Sequence, residues 1–326
     1  MKPNTDYLNV PEKGMAAYRA PSLLQPHKAR QALRDAYHGR IPRMIGYYCG
    51  FCDRSSSRII AQLGADFVWV DWEHASCNVE TMTDVVHTIM FMSEGRTMPF
   101  VRIPNHDHAS IGYALDAGTS VIVPHVDTVE QAKHIAAATK FLDKHGGTRS
   151  APPTRWLGGL ADAVVDPTRH IWENQNEQAA LIIQLESREG VNNLDGMLSA
   201  VGHHIDACWM GTLDMRATMG LDGIWGDEPE FQAVVKQFEE VLRKHDKPNA
   251  GPCFNGAWER ARNKMFTVVA ADFMTLASEK EKIEDARRNL GPLEGKGRKG
   301  ESSTVSGVSN GVSNGVSNGV CNGIKV

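Results

Sequence analysis

The chain has 326 residues, 41% of them hydrophobic and 23% charged, which is enough apolar material for one large α/β domain or two small ones. Its formal charge of -4 gives no polyanion-binding signal, and the one basic cluster, Lys296, Arg298 and Lys299, lies near the C-terminus. Nucleic acid and acidic membrane surfaces are therefore excluded as expected partners, and a small metabolite is expected instead.

In chain order, Met-Lys-Pro-Asn-Thr-Asp-Tyr lacks the apolar core of a signal peptide, and no uninterrupted apolar run approaches the roughly 18 residues of a membrane helix. A soluble, cytoplasmic protein is expected. Residues 1–27 are polar and proline-bearing and read as an N-terminal arm, either extended or docking in an oligomer. A strand is predicted over 43–48, followed by Cys49-x-x-Cys52. That pair reads as incidental, because no second pair completes a zinc site, and the six cysteines suit free thiols in a reducing compartment. A helix over 56–63 leads to a strand over 66–71, and this apolar run ends in Asp71-Trp72-Glu73-His74. Next come a helix over 79–92, a strand over 99–103 bearing Arg102, a helix over 109–117, a strand over 120–123 followed by His125, and a helix over 129–141. The stretch 142–178 is irregular, with Gly146-Gly147, Pro152-Pro153 and Gly158-Gly159, and reads as a long connection that covers the site. Strands over 181–185, 206–210, 249–254 and 267–271 follow, with a helix over 229–245. From about 294 the composition changes to a Ser-Asn-Gly-Val repeat that cannot bury enough apolar surface to offset its ordering entropy, so 294–326 reads as a disordered tail.

Eight strands alternating with helices predict a (β/α)8 TIM barrel over residues 28–293, in preference to an open doubly wound sheet. Functional side chains in such barrels lie at the C-terminal strand ends, where Glu73, His74, Arg102, His125, Glu186 and Asp214 fall. Glu186 and Asp214 read as ligands of a hard divalent ion that keeps several waters, with no third protein ligand evident. An α-keto acid would chelate such an ion, which would stabilise an enolate as a Lewis acid. The alternative for Glu186 is a buried carboxylate paired with Arg188 or another cation. His74 reads as a general base oriented by Asp71 or Asp116, and Arg102 as a bidentate clamp on a substrate carboxylate. Nothing adjacent fixes a role for His125. No predicted strand end carries the lysine of a Schiff-base aldolase, no Gly-x-Gly-x-x-Gly follows a strand, and no Gly-x-Ser-x-Gly elbow occurs.

Val70-Asp71-Trp72-Glu73-His74-Ala75, Val101-Arg102-Ile103-Pro104, Leu115-Asp116-Ala117-Gly118, Gln184-Leu185-Glu186-Ser187-Arg188 and Gly211-Thr212-Leu213-Asp214 together resemble the HpcH/HpaI aldolase family over about residues 40–280. The resemblance implies a (β/α)8 barrel, often a homo-hexamer with exchanged C-terminal helices, and metal-dependent aldol chemistry through a pyruvate enolate. Mg2+ is the implied ion, with Mn2+ or Co2+ as alternatives. By position it makes His74 the base, Asp116 the residue that raises its basicity and Arg102 the transition-state stabiliser. It likewise makes Glu186 and Asp214 the metal ligands and Gln184 and Leu213 substrate contacts. A fungal member that decarboxylates oxaloacetate and joins the enolate to a 2-pyrone is similar around Trp69, His74, Arg102 and His125, which adds Trp69 and His125 as substrate contacts. The family's Gly-Pro-x-Asp is here Gly211-Thr212-Leu213-Asp214, and the Glu186 to Asp214 interval is about two residues longer than usual.

The expected activity is carbon-carbon bond cleavage or formation between pyruvate or oxaloacetate and an aldehyde or other electrophile. Oxaloacetate decarboxylation with cyclisation is the alternative, and a degenerate barrel that only binds is the non-enzymatic one. A CoA-ester lyase would need a basic cleft for nucleotide phosphates, which the sequence does not concentrate.

Overall fold

The computed structural model describes residues 13–142, 146–254 and 256–291. Its strands are β1 (Met44–Cys49), β2 (Phe67–Asp71), β3 (Met98–Arg102), β4 (Ser120–Val123), β5 (Leu181–Leu185), β6 (Ala207–Met210), β7 (Asn249–Pro252) and β8 (Lys264–Ala271). They pair in sequence order into one closed barrel, β8 lying parallel to β1, so the expected (β/α)8 architecture is the one observed. The helices are α1 (Ala29–Tyr37), α2 (Arg54–Ile60), α3 (Val79–Met92), α4 (His108–Asp116), α5 (Val129–Ala138), α6 (Ile171–Asn176), α7 (Arg188–Val201), α8 (Thr212–Thr218), α9 (Pro229–Lys244) and α10 (Asp272–Leu290). The chain divides after Phe273 into the barrel and a second unit, whose described residues begin at Met274 and include the rest of α10. The low-complexity tract expected over 294–326 lies outside the described residues.

Alternation along each strand sorts its side chains into two cores. Val68, Val70, Val101, Val121, Val123, Ile183 and Leu185 face outward and pack with Val85, Ile89, Ile111, Ile135 and Leu194 of the helices. Phe67, Phe100, Ile122, Ile182, Trp209 and Phe266 fill the lumen. Phe67 stacks on Phe266 with ring centroids 3.5 Å apart. Gly46 admits that ring, since a Cβ at this position would lie 2.1 Å from the Phe67 ring. With both faces covered, β2, β3, β4 and β5 are buried at every position, which explains their continuous apolar runs.

Helix starts are fixed locally: Asn78 accepts the Thr81 amide before α3, Thr128 and Gln131 form a reciprocal capping box on α5, and Ser187 caps α7. The N-terminal end of the barrel is closed by α1, whose buried Ala29, Ala32, Leu33 and Ala36 recur at helical spacing and join the lumen core. Arg30 clamps this helix down through Asp206 at 2.8 Å.

The described part of the N-terminal segment, from Lys13, packs against the barrel's own chain. Tyr18 and Gln25 are buried, the Leu24 amide donates to the Leu160 carbonyl at 2.7 Å, and Gln25 Nε2 donates to the Ala163 carbonyl at 2.9 Å. These bonds also correct the expectation that 142–178 covers the functional end. The segment leaves the foot of α5 and enters β5, so both of its ends are at the N-terminal face. Leu160 and Ala163 pair with the N-terminal segment there, while Thr148 and Arg149 pair with His108 and Asp116 at the two ends of α4.

Candidate active site

At the opposite rim, Asp71 closes β2 with no exposed surface and is saturated with donors. Arg102, closing β3, grips it bidentately, Nε to Oδ1 at 3.0 Å and Nη2 to Oδ2 at 2.6 Å. Tyr48 donates its hydroxyl to Oδ2, and the Glu73 and His74 amides donate to Oδ1 at 3.1 and 3.3 Å. Burial alone would raise the Asp71 carboxyl. The Arg102 bonds and charge, with Tyr48 and the His74 amide, instead hold it below its ordinary value.

The turn anchored by Asp71 presents Glu73 and His74. Glu73 Oε2 lies 3.1 Å from Arg102 Nε and 3.6 Å from His74 Nε2, while the His74 side chain is 64% exposed. Burial raises the Glu73 carboxyl against the pull of Arg102 and His74. The carboxylate beside the imidazole is thus Glu73. Asp71 meets His74 through its backbone amide only. Asp116, the other expected orienting group, ends α4 and pairs with buried Arg149 at 2.9 Å. A helix descending from β3 over 9 residues carries Asp116 to the N-terminal face, so within one chain it does not partner His74.

Across the rim, Glu186 follows β5 at 2% exposure, and its Oε2 accepts the His125 amide at 2.8 Å. His125 Nε2 is 3.6 Å from the same oxygen, and His125 holds a left-handed φ of +48°, strained for a non-glycine residue. Asp214 lies in the first turn of α8. Ligand atoms of His125, Glu186 and Asp214 all fall within 4.8 Å of one another, so the structure adds His125 to the two expected carboxylates. Gly211 makes room for this, because a Cβ there would sit 2.3 Å from Glu186 Oε1. Thr212, standing where the family has proline, begins α8 and leaves Asp214 within the cluster. Burial raises the Glu186 carboxyl, and Asp214 adds to this, against the His125 amide and charge and that of Arg102. Glu186 makes no ion pair with Arg188 among the described residues.

The two half-sites share one floor. Arg102 lies over the Trp69 ring at 4.7 Å, and Trp69 meets Trp209 edge-on at 4.6 Å. Trp69 Nε1 and Gln184 Oε1 are buried without a hydrogen-bond partner, each a cost of about 1–3 kcal/mol unless a bound group satisfies it. Leu213, 56% exposed, sits beside Asp214 on α8. Two carboxylates and an imidazole are a donor set that fits a divalent cation, with the orphaned Gln184 and Trp69 atoms left for a ligand beside it. Sequence reasoning gave no role to Tyr48 or Asp272. Asp272 Oδ2 accepts the Gly50 and Phe51 amides at 2.8 and 2.9 Å and braces the turn after β1. An isolated tyrosine and an acid at a helix start carry no spacing signal.

Residues 45–283 match the model of the HpcH/HpaI aldolase/citrate lyase family. The chain belongs to that family. Among curated relatives, it is 33% identical over 196 residues to the hydroxypyruvate/pyruvate aldolase of Chromohalobacter salexigens, spanning 59% of this chain and 71% of the relative. It is 26% identical over 246 residues to the 5-keto-4-deoxy-D-glucarate aldolase of Klebsiella pneumoniae, spanning 74% of this chain and 91% of the relative. Among solved structures, macrophomate synthase superposes with a TM-score of 0.76 at 25% identity, covering 90% of this chain and all of that one. A family protein from Burkholderia cenocepacia, at 22% identity and a TM-score of 0.67, shares the fold. Among the described residues, no helix is long and apolar enough to cross a membrane.

Proposed function

We propose that the protein is a divalent-metal-dependent carbon-carbon lyase acting on a 2-keto acid of the pyruvate or oxaloacetate class, with an aldehyde or other electrophile as second substrate. The observation that carries this reading is the convergence of the His125, Glu186 and Asp214 donor set with an arginine over a tryptophan floor at one barrel rim. Glu186 and Asp214 would hold Mg2+, with Mn2+ or Co2+ as alternatives, and His125 stands ready as a third donor. When bound, the ion supplies Lewis-acid polarisation of a keto oxygen.

Arg102 spends Nε and Nη2 on Asp71 and Glu73, and its Nη1 makes no hydrogen bond to the described residues, so it can take a substrate carboxylate or face developing enolate charge. Gln184 Oε1 and Trp69 Nε1 offer an acceptor and a donor to substrate from below. Leu213 and Asp214 border the opening. His74, exposed and beside Glu73, exchanges a proton with the oxygen of the acceptor as the aldol bond breaks or forms. In this reading Asp71 and Tyr48 act by fixing Arg102 and the His74 turn, and Asp116 takes no part within one chain. Assembly into a homo-oligomer belongs to the same proposal, on family resemblance.

The likeness to macrophomate synthase over 90% of the chain favours one second reading, in which oxaloacetate loses carbon dioxide at the same half-site before the new bond forms. Pyruvate release from oxaloacetate, and then from 4-hydroxy-2-keto acids, should be measured with Mg2+ or Mn2+ before and after EDTA. Metal-dependent turnover of either substrate, lost in Arg102→Ala, is expected. No turnover of any keto acid with any divalent ion would overturn both readings and leave a binding protein.

A further inference from the structure

The layer outside the barrel thins between β7 and β8. Among the described residues that connection carries only a 3-10 turn, Trp258–Ala261, where the other strand-to-strand connections carry α-helices. A cavity of about 50 Å³ lies there, with Thr212, Ile224, Trp225, Phe254, Arg260 and Lys264 in its lining. That is room for a few waters or for one carboxylate or phosphate group. Thr212 opens α8 two residues before Asp214, and Gly211 beside it abuts Glu186, so the cavity adjoins the metal-ligand cluster along the chain.

Two cations face this space. The Arg260 guanidinium lies over the Trp225 ring at 4.9 Å, and Trp225 is itself held edge-on by Phe231, with ring centroids 5.3 Å apart. Stacking occupies the face of a guanidinium and leaves the N–H groups around its edge to donate, and among the described residues those of Arg260 have no acceptor. Lys264 is half-buried, and its Nζ donates to the Pro252 carbonyl at 2.8 Å, which leaves two of an ammonium's three hydrogens to give. No acid lines the cavity. Glu239 attracts the Lys264 charge from outside the lining, where Asn263 Nδ2 donates to it. Burial pushes the Lys264 ammonium down to about 8, and the charge of Arg260 adds to this. Like charges held together beside an apolar wall cost free energy that an anion between them would recover.

We propose that this cavity is an oxyanion site, in which Arg260 and Lys264 together take a carboxylate or phosphate group while Trp225, Ile224 and Phe254 wall it from the side. Arg260, exposed at the mouth, offers a planar fork that matches two oxygens of such a group, and Lys264 meets it from the barrel wall as a point charge. The cavity is too small for a nucleotide. Its occupant is a free small anion or the remote anionic group of the second substrate. Anion binding does not rest on the lyase reading; the second source does.

The test is calorimetric titration of the metal-free full chain with inorganic phosphate at neutral pH, followed in parallel by tryptophan fluorescence. Saturable binding with a Kd of about 1 mM or tighter is expected, weakened about tenfold or more in Arg260→Gln and in Lys264→Met, and unchanged in Glu186→Gln. Circular dichroism checks that each variant is folded. No saturable binding in the wild type would overturn the proposal, and so would equal affinity in wild type and both cavity variants. The two sources separate in turnover with pyruvate. A KM raised in Arg260→Gln for glyoxylate but not for acetaldehyde assigns the site to the second substrate's carboxylate, and unchanged KM values with phosphate binding lost assign it to a free anion. Bound phosphate in protein that turns over no keto acid would sink the lyase reading and leave the anion site standing.

Discussion

Asp71 and Glu186 stand at the same barrel rim, on the ends of β2 and β5, and are buried alike at 0% and 2% exposure, yet their proton affinities are displaced in opposite directions. Asp71 collects two bonds from Arg102, one from Tyr48 and two from backbone amides. Glu186 collects one amide bond, from His125, and faces Asp214. Burial sets the cost of the charge in both; the donors decide whether that cost is met inside the protein. A carboxylate with every lone pair engaged is an anchor. One left short of donors is a place for a cation, and the contrast separates structure from chemistry among residues that a strand-end rule treats alike.

The largest expected effect breaks the comparison at the ligand side. Glu186→Gln keeps the volume but removes the charge, and metal-dependent turnover should fall by more than the roughly 10–100-fold that disturbing a metal's outer partners costs. Calorimetric titration with Mn2+ should show the affinity lost. The metal-free variant should melt no lower than the metal-free wild type, because an ionised Glu186 is a buried charge without adequate partners. A large fall in its melting temperature with Mn2+ binding intact would reverse the two roles.

Asp71→Ala breaks the comparison at the anchor. Arg102 would be left buried without its bidentate partner, and the two backbone amides would lose their acceptor. Removing one member of a buried ion pair costs about 3–5 kcal/mol, which urea unfolding would register directly. Mn2+ affinity in whatever remains folded should change far less than in Glu186→Gln. A loss below about 1 kcal/mol would place Asp71 among ordinary surface pairs and undo its reading as the anchor.

Much of this architecture was legible in sequence because buried parallel strands read as short apolar runs. The runs at 120–123 and 181–185 match β4 and β5 at both ends. The weaker elements escaped for identifiable reasons. The buried face of α1 is mostly alanine, which marks a helical stripe faintly. Glu186 and Asp214 could be found because acids at the ends of apolar runs are conspicuous, whereas His125 joined them only through a backbone turn at φ +48° that no composition announces. Asp116 shows the converse failure: its motif matches the family, but a descending helix separates it from His74 within one chain. The 142–178 connection was misplaced because its length was weighed while its ends were not. A segment joining the foot of a helix to the start of a strand belongs to the N-terminal face unless something draws it upward.

The smallest effect sharpens the contrast most. Tyr48→Phe removes one of the donors on Asp71 and leaves Arg102 and both amides in place, so the expected cost at neutral pH is about 1 kcal/mol, a fall of roughly 2–4 °C in Tm. Its pH dependence follows from the depressed Asp71 carboxyl. A group whose folded value is lowered contributes stability above its unfolded value and loses it as pH falls through the folded one. With one donor gone the folded value moves back toward the ordinary carboxylate range, and the acid loss of stability begins at higher pH in the variant. The gap between wild type and variant should therefore be full near neutrality and narrow in acid, once Asp71 is protonated in both. Glu186, raised by burial, runs the other way: in metal-free protein its ionisation costs stability as pH rises through its folded value, and Tyr48→Phe should leave that limb untouched. A Tm gap of the same size at every pH would mean that the lost hydroxyl acts independently of the Asp71 charge. No gap at any pH would mean that Tyr48 contributes through its ring on Trp69, 4.6 Å away and kept in the variant, with the Asp71 anchor holding without the hydroxyl.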